Sequence, residues 1–263
     1  MMQIHDGIQT IIFSAGETDK VDQGRSNKLS RLLKGYPLLN LLGTLDREVS
    51  SIAFDSRKVE RGSLFVAIPG LKHDGSQFIR EAIGRGASAF ITEVPLDLLN
   101  GVGLSSKNIT AIQVQDCRAA LSWVSAEYYN QPTRRMNLVG ITGTNGKTTL
   151  TYALEHIYRM RKEKTGVIGS IRYRFGDRDI PAPITTPESL ELNRMFDEML
   201  EKEIKTCFLE VSSHSLALKR VHGMHFAIGV FINLSRDHLD FHGSMENYKN
   251  AKKDLFRHNS VDK

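Results

Sequence analysis

Four stretches of this chain have residue types and spacings that could do chemistry. The first is Gly140-Ile141-Thr142-Gly143-Thr144-Asn145-Gly146-Lys147-Thr148-Thr149. An apolar run from Leu138 leads into it and a helix-compatible run follows it. Strand, glycine-rich loop and helix in that order bind phosphate, through inward-facing loop N–H groups and the positive end of the helix. On this reading Lys147 reaches the β- and γ-phosphates of a nucleotide, and the Thr148 hydroxyl ligates Mg²⁺. Gly143, Thr144, Asn145, Gly146 and Thr149 complete the cradle. The spacing departs from the strict pattern, because Ile141 stands where the leading glycine belongs and the glycines fall at 140 and 143. A bare Gly-Lys-Thr also occurs in ordinary turns; the flanking strand and helix favour the nucleotide site.

The second is Glu210, at the end of the apolar run Cys207-Phe208-Leu209 and ahead of Val211-Ser212-Ser213-His214. Ligands of open α/β sheets bind beyond the carboxyl ends of strands, and Mg²⁺ takes one or two carboxylates with phosphate oxygens. A solvated strand end is the plainer alternative. The third is Asn233-Leu234-Ser235-Arg236-Asp237-His238-Leu239-Asp240-Phe241-His242-Gly243, again directly after an apolar strand. Its ionisable groups are too dense for a plain turn. His238 is a candidate ligand for a divalent ion, with Asp237, Asp240 and His242 orienting the loop. The fourth is Lys252. On a helical wheel at about 100° per residue, Met245, Tyr248, Ala251, Lys252, Leu255 and Phe256 share one face. Glu246, Lys249, Asn250, Lys253 and Arg257 share the other. A lysine within an apolar stripe snorkels, is paired or is chemically altered; from the residues alone, snorkelling is favoured.

The elements that must position these groups divide into two domains after an extension. Residues 1–27 are polar and aperiodic and read as loosely held. A first domain, 28–133, carries strands over 51–54, 64–68 and 87–92, and helices over 76–85 and 117–129. Its loops offer Ser56, Arg57 and His73 as anion-binding side chains, with ordinary turn roles equally open. The polar, proline-broken stretch 130–135 marks the boundary. The second domain, 134–263, reads as strand, phosphate loop, a helix over 148–160, and a strand over 165–169. A hairpin or long loop over 173–182 and a helix over 187–202 follow. Strands over 205–211 and 226–233 and a helix over 245–256 close it. Alternating strands and helices imply a right-handed parallel α/β sheet.

Composition narrows the class. The 263 residues are 40% hydrophobic, ample for packed cores, and 35 basic against 30 acidic residues leave a net charge of +5. No basic and aromatic stripe points to nucleic acid. Cys117 and Cys207 have neither disulfide nor metal spacing and suit a reducing compartment. The longest apolar run near the N-terminus, 11–13, is too short for a signal or a membrane span. A soluble cytoplasmic protein without membrane insertion is expected.

Taken together, the motifs resemble those of the Mur ligases, the ATP-dependent amino-acid ligases of peptidoglycan synthesis, over roughly residues 29–257. The loop Gly143–Thr149 is similar to the family's ATP signature. Asp55-Ser56-Arg57 with Gly62-Ser63-Leu64-Phe65-Val66-Ala67 looks like the family's uridine-binding N-terminal domain. Thr185-Thr186-Pro187, Glu210–His214 and Leu234–Asp240 resemble the MurE branch, which adds the third peptide residue. The resemblance implies a uridine-binding N-terminal α/β domain followed by a P-loop parallel-sheet central domain. It implies ATP as co-substrate, Mg²⁺ held by Thr148, Glu210, His238 and Lys252, and carbamylation of Lys252. Lys147, His238 and the carbamylated Lys252 would be catalytic, and Ser56, Arg57, Thr185, Thr186, Ser212 and Arg220 would contact UDP-MurNAc-dipeptide. Leu218 departs from members that have a substrate-binding Gln there.

The implied reaction phosphorylates the D-Glu carboxylate and adds diaminopimelate or lysine through the acyl phosphate. Members of the family continue into a C-terminal domain beyond the point matching residue 263. Two readings follow: a ligase whose remaining parts come from a separate chain or lie outside this sequence, or a truncated, inactive fragment that at most binds UDP-muramyl peptide or nucleotide. An unrelated P-loop ATPase is a third, and the uridine-type first domain argues against it.

Overall fold

The structure, a computed structural model, describes residues 10–11, 27–70, 74–99 and 109–257. The extension, 1–27, thus falls outside the described residues except at Thr10, Ile11 and Asn27, as does His73. Thr10–Ile11 forms a short strand, β1. The chain divides into two compact units, 21–130 and 131–263, the latter grouped with 1–20.

The first unit opens with the helix Leu29–Leu32 (α1) and the strands Asn40–Leu42 (β2), Ile52–Ala53 (β3) and Leu64–Val66 (β4). The helix Ile79–Gly84 (α2), strands Ala89–Thr92 (β5) and Thr110–Gln113 (β6), and helix Cys117–Tyr128 (α3) follow. The strands form a five-stranded sheet in the order β2-β6-β5-β4-β3. All its neighbours are parallel except β2, which pairs antiparallel with β6. Phe65, Phe90, Ile79 and Ala82 pack its core. Asp116 starts α3 by accepting the Ala119 N–H at 2.8 Å, a standard N-cap. The expected helix over 76–85 begins instead as a 3₁₀ turn, Gly75–Phe78, because the Asp74 side chain binds the Ser76 N–H and tightens the entry.

The second unit contains the strand Asn137–Thr142 (β7), helix Lys147–Met160 (α4) and strand Thr165–Ile168 (β8). The hairpin Arg172–Phe175 (β9) and Arg178–Pro181 (β10) comes next, followed by helix Ser189–Glu201 (α5) and strand Thr206–Glu210 (β11). The helix Ser213–Ala217 (α6), strand Ile228–Phe231 (β12), and helices Leu239–His242 (α7) and Met245–Arg257 (α8) complete it. The sheet has seven strands in the order β1-β12-β7-β11-β8-β9-β10. The expectation of a parallel sheet holds for β12-β7-β11-β8. It fails at both edges, where β1 and the β9–β10 hairpin run antiparallel. A two-residue turn, Gly176-Asp177, leaves no room for the crossover that a parallel neighbour requires.

Both faces of this sheet are covered. Leu192, Phe196 and Met199 of α5, Leu216 of α6 and Leu255 of α8 pack on one side against Leu138, Cys207 and Leu209. Leu150, Leu154 and Tyr158 of α4 pack on the other against Val139, Ile141, Val167 and Phe208. Burial on two faces explains why these strands read as unbroken apolar runs. Among the described residues, no helix is long and apolar enough to cross a membrane.

Candidate functional site

The strand order places the chemistry. β7 lies between β11 and β12, so the segments leaving those two strands emerge on either side of the loop that leaves β7. Glu210 is in register with Ile141 and Phe231 with Thr142. The carboxyl ends of three parallel strands therefore converge at Gly143–Gly146. Gly146 sits at φ 84° and opens α4; a side chain is strained in this left-handed conformation.

Lys147 bends back over its own loop, donating to the Gly143 and Thr144 carbonyls at 2.9 Å each. Thr148, one residue on, donates its hydroxyl to Glu210 Oε2 at 3.0 Å. Glu210 is fully buried. It also accepts the Ser170 N–H on Oε1 at 3.1 Å and the Ser170 hydroxyl on Oε2 at 3.0 Å. Among the described residues these donors are neutral, and no ion pair reaches the carboxylate. A Cβ on Gly169 would stand 2.1 Å from Glu210 Oε1, so the carboxylate requires glycine at 169.

Thr185, Thr186, Ser212 and Arg220 gather beside Glu210. The Thr186 hydroxyl donates to the Glu210 carbonyl at 2.8 Å and accepts the Ser212 N–H at 3.2 Å. The Thr185 hydroxyl lies 3.1 Å from Ser170 Oγ. Arg220 donates to the Thr186 carbonyl at 3.0 Å and to Glu188 Oε1 at 2.8 Å. Ser212 caps α6 through the Ser215 N–H.

Lys252 departs from the snorkelling expectation. It is 2% exposed, donates to the Gly143 carbonyl at 2.9 Å, and lies 4.6 Å from the centre of the Tyr248 ring. Tyr248, Ala251 and Leu255 are buried around it, and a four-carbon stem from that stripe cannot reach water. Burial first, and the Lys147 charge second, push its pKa down to about 7. Burial lowers Lys147 as well, against an upward pull from Glu210. Both ammonium groups share one acceptor, the Gly143 carbonyl.

His238 lies on the segment that follows β12. It is exposed, in the left-handed region at φ 51°, with Nε2 3.5 Å from Asp237 Oδ2. Ring packing joins it to His214, 4.8 Å between centroids, and to Tyr248 at 6.1 Å. It approaches Lys252 through the Tyr248 ring. Asp240 is exposed on α7, whereas His242 is buried with Nε2 2.9 Å from Ser213 Oγ. Among the described residues no three His, Cys, Asp or Glu side chains form a metal cluster. The hydroxyl of Thr148 and the buried carboxylate of Glu210, which no ion pair reaches among the described residues, fit Mg²⁺, which prefers hard oxygen donors.

Ser56 and Arg57 belong to the first unit. Ser56 is buried and donates to Glu81 Oε2 at 3.0 Å, while the exposed Arg57 guanidinium pairs with Asp55 at 2.8 Å. Residues outside the sequence-derived set also build the site: Gly169, Ser170, Asn233 and Tyr248. The dipeptide Gly169-Ser170, directly after an apolar strand, was a usable signal for the first two.

Two family profiles match the chain. "Mur ligase middle domain" covers residues 141–263, and "Mur ligase family, catalytic domain" covers 48–129. The chain belongs to the Mur ligase family. It is 42% identical over 229 residues to a Clostridioides difficile (strain 630) protein named UDP-N-acetylmuramoyl-L-alanyl-D-glutamate–2,6-diaminopimelate ligase, covering 87% of this chain and 46% of that one. An Alkaliphilus oremlandii (strain OhILAs) protein of the same name is 44% identical over 228 residues, 87% of this chain and 45% of that one. A solved structure of a ligase of that name superposes with a TM-score of 0.71 at 26% identity, covering 89% of this chain and 46% of that one. The chain thus spans about half the length of the curated relatives it matches. This Mur ligase architecture unites the phosphate loop, Glu210 and Lys252 in one unit.

Proposed function

We propose that this chain carries the UDP-MurNAc-dipeptide- and ATP-binding parts of a peptidoglycan ligase. That ligase adds 2,6-diaminopimelate, with lysine as the competing amine, to UDP-MurNAc-L-Ala-D-Glu. The observation that carries the reading is the buried Glu210 carboxylate hydrogen-bonded to Thr148 of the phosphate loop. It sits beside Thr185, Thr186, Ser212 and Arg220. The relatives' names supply the substrate.

The residues divide the work as follows. Loop N–H groups and the start of α4 hold the triphosphate. Lys147 exchanges the carbonyls of its own loop for phosphate oxygens. Thr148 and Glu210, with His238 and a carbamylated Lys252, would hold Mg²⁺. When bound, that ion neutralises charge on the transferring phosphoryl group. Ser56, Arg57, Thr185, Thr186, Ser212 and Arg220 bind and orient the UDP-MurNAc-dipeptide. A D-Glu carboxylate oxygen attacks the γ-phosphorus and ADP leaves. The amine then attacks the acyl phosphate carbon, loses its proton, and phosphate departs.

The test is calorimetric titration of the chain with a non-hydrolysable ATP analogue and Mg²⁺, and separately with UDP-MurNAc-L-Ala-D-Glu. Both should bind, and Lys147→Ala should abolish only the first. Loss of neither, or no binding by the wild-type chain, would overturn the reading. In ligation assays, lysine outcompeting 2,6-diaminopimelate would overturn the choice of amine.

A further inference from the structure

One side chain from outside the phosphate loop makes three hydrogen bonds to its backbone. Asn233 follows β12, and its Oδ1 accepts the N–H groups of Thr144 at 3.1 Å and Asn145 at 3.0 Å. Its Nδ2 donates to the Asn145 carbonyl at 3.2 Å. The carboxamide therefore pairs with both backbone polar groups of Asn145, as a neighbouring strand would. These three bonds fix which amide atom is O and which is N. The Asn233 carbonyl also accepts from the Thr144 N–H at 3.1 Å.

A second contact reinforces the first. The Thr144 hydroxyl accepts the Ser235 N–H at 3.0 Å and lies 3.1 Å from the Tyr248 hydroxyl. Residues 233–235 lead into the segment bearing Asp237 and His238. Tyr248 is the ring over Lys252. The loop, the His238 segment and the Lys252 helix are thus fastened at Thr144 and Asn145.

We propose that Asn233 is a positioning residue for triphosphate binding. By occupying the Thr144 and Asn145 N–H groups it sets the first half of the loop. The α4 N-terminus and Lys147 are left as the phosphate-reading groups. Asp and Ala at 233 would fail differently. Asp keeps the acceptor, loses the donor to Asn145, and sets a negative charge beside the phosphates. Ala removes every side-chain bond: the Thr144 N–H keeps the Asn233 backbone carbonyl, while the Asn145 N–H and carbonyl lose their partner.

This rests on the nucleotide-site reading above, and its test separates the two. Amide hydrogen exchange is measured at Thr144 and Asn145 in the wild-type chain, Asn233→Ala and Asn233→Asp, beside calorimetric affinity for the ATP analogue with Mg²⁺. Asn233→Ala should speed exchange chiefly at Asn145, because Thr144 keeps the Asn233 backbone carbonyl, and weaken binding about ten- to hundredfold, the scale of losing two or three hydrogen bonds. Asn233→Asp should keep the protection and still lose affinity. If wild type does not bind the analogue, the nucleotide reading fails; the exchange data still decide whether Asn233 holds the loop. If wild type binds and Asn233→Ala matches it in affinity and exchange, the positioning role is refuted. If Asn233→Ala does not fold, unprotected amides in a folded Asn233→Asp refute it equally.

Discussion

Replacing or titrating Lys252 probes the site most directly. An exposed lysine titrates near 10.5, whereas burial and the neighbouring Lys147 bring this one to about 7. At about pH 7.5 that leaves roughly three quarters of the amine neutral, against about 0.1% for an exposed lysine. The gain in free amine is several hundredfold. Only the neutral amine adds CO₂: the nitrogen lone pair forms the N–C bond, a C–O π pair moves onto oxygen, a proton leaves the nitrogen, and the amine becomes a carbamate anion. The product would replace like-charge repulsion between Lys147 and Lys252 with attraction. Carbon-13 NMR of the chain in labelled bicarbonate should show one carbamate resonance, absent in Lys252→Ala. The signal should fall roughly 25-fold in equilibrium free amine between about pH 7.5 and 5.5. Stability carries the same signature. The unfolded chain keeps this proton up to about 10.5 and the folded chain releases it near 7. Between those limits the unfolded state binds more protons, so the contribution of Lys252 to stability rises with pH. A carbamate signal that survives Lys252→Ala, or a Lys252 amine titrating near 10.5, would refute the reasoning.

Gly169→Ala places a methyl 2.1 Å from Glu210 Oε1. It should cost about 1–3 kcal/mol in thermal unfolding and displace the carboxylate. Mg²⁺-dependent nucleotide affinity should drop more than Mg²⁺-independent affinity; equal losses would count against the metal role. Cys117 and Cys207 are free and buried, and burial raises both thiols far above the usual range. Iodoacetamide at about pH 8 should label neither in the native chain and both after denaturation, read by mass spectrometry; fast native labelling would contradict their burial.

Much of the second unit was legible because its determinants are local. The phosphate loop is written in contiguous glycines, Lys147 and Thr148 between an apolar strand and a helix. The α8 stripe showed Lys252 facing inward, and Tyr248, Ala251, Lys252 and Leu255 are buried. The first unit was less legible. Its short strands Asn40–Leu42 and Thr110–Gln113 give too few residues for a period to show, and exposed Leu41 and Leu42 break the expected pattern.

The sequence by itself determined the site's ingredients: phosphate loop, strand-end carboxylate, histidine-bearing segment and inward lysine. It also placed the first three at the ends of strands and the lysine on the inward face of a helix. Tertiary structure decided which of them meet. Strand order puts β7 between β11 and β12, which brings Thr148 to Glu210 and Asn233 to Thr144. The same packing leaves His238 exposed at the edge of a ring cluster. It also turns Lys252 from a snorkelling cation into a buried amine. The physical reason is that sheet register and desolvation are set by contacts between residues about 60 to 110 positions apart, and no local period encodes them.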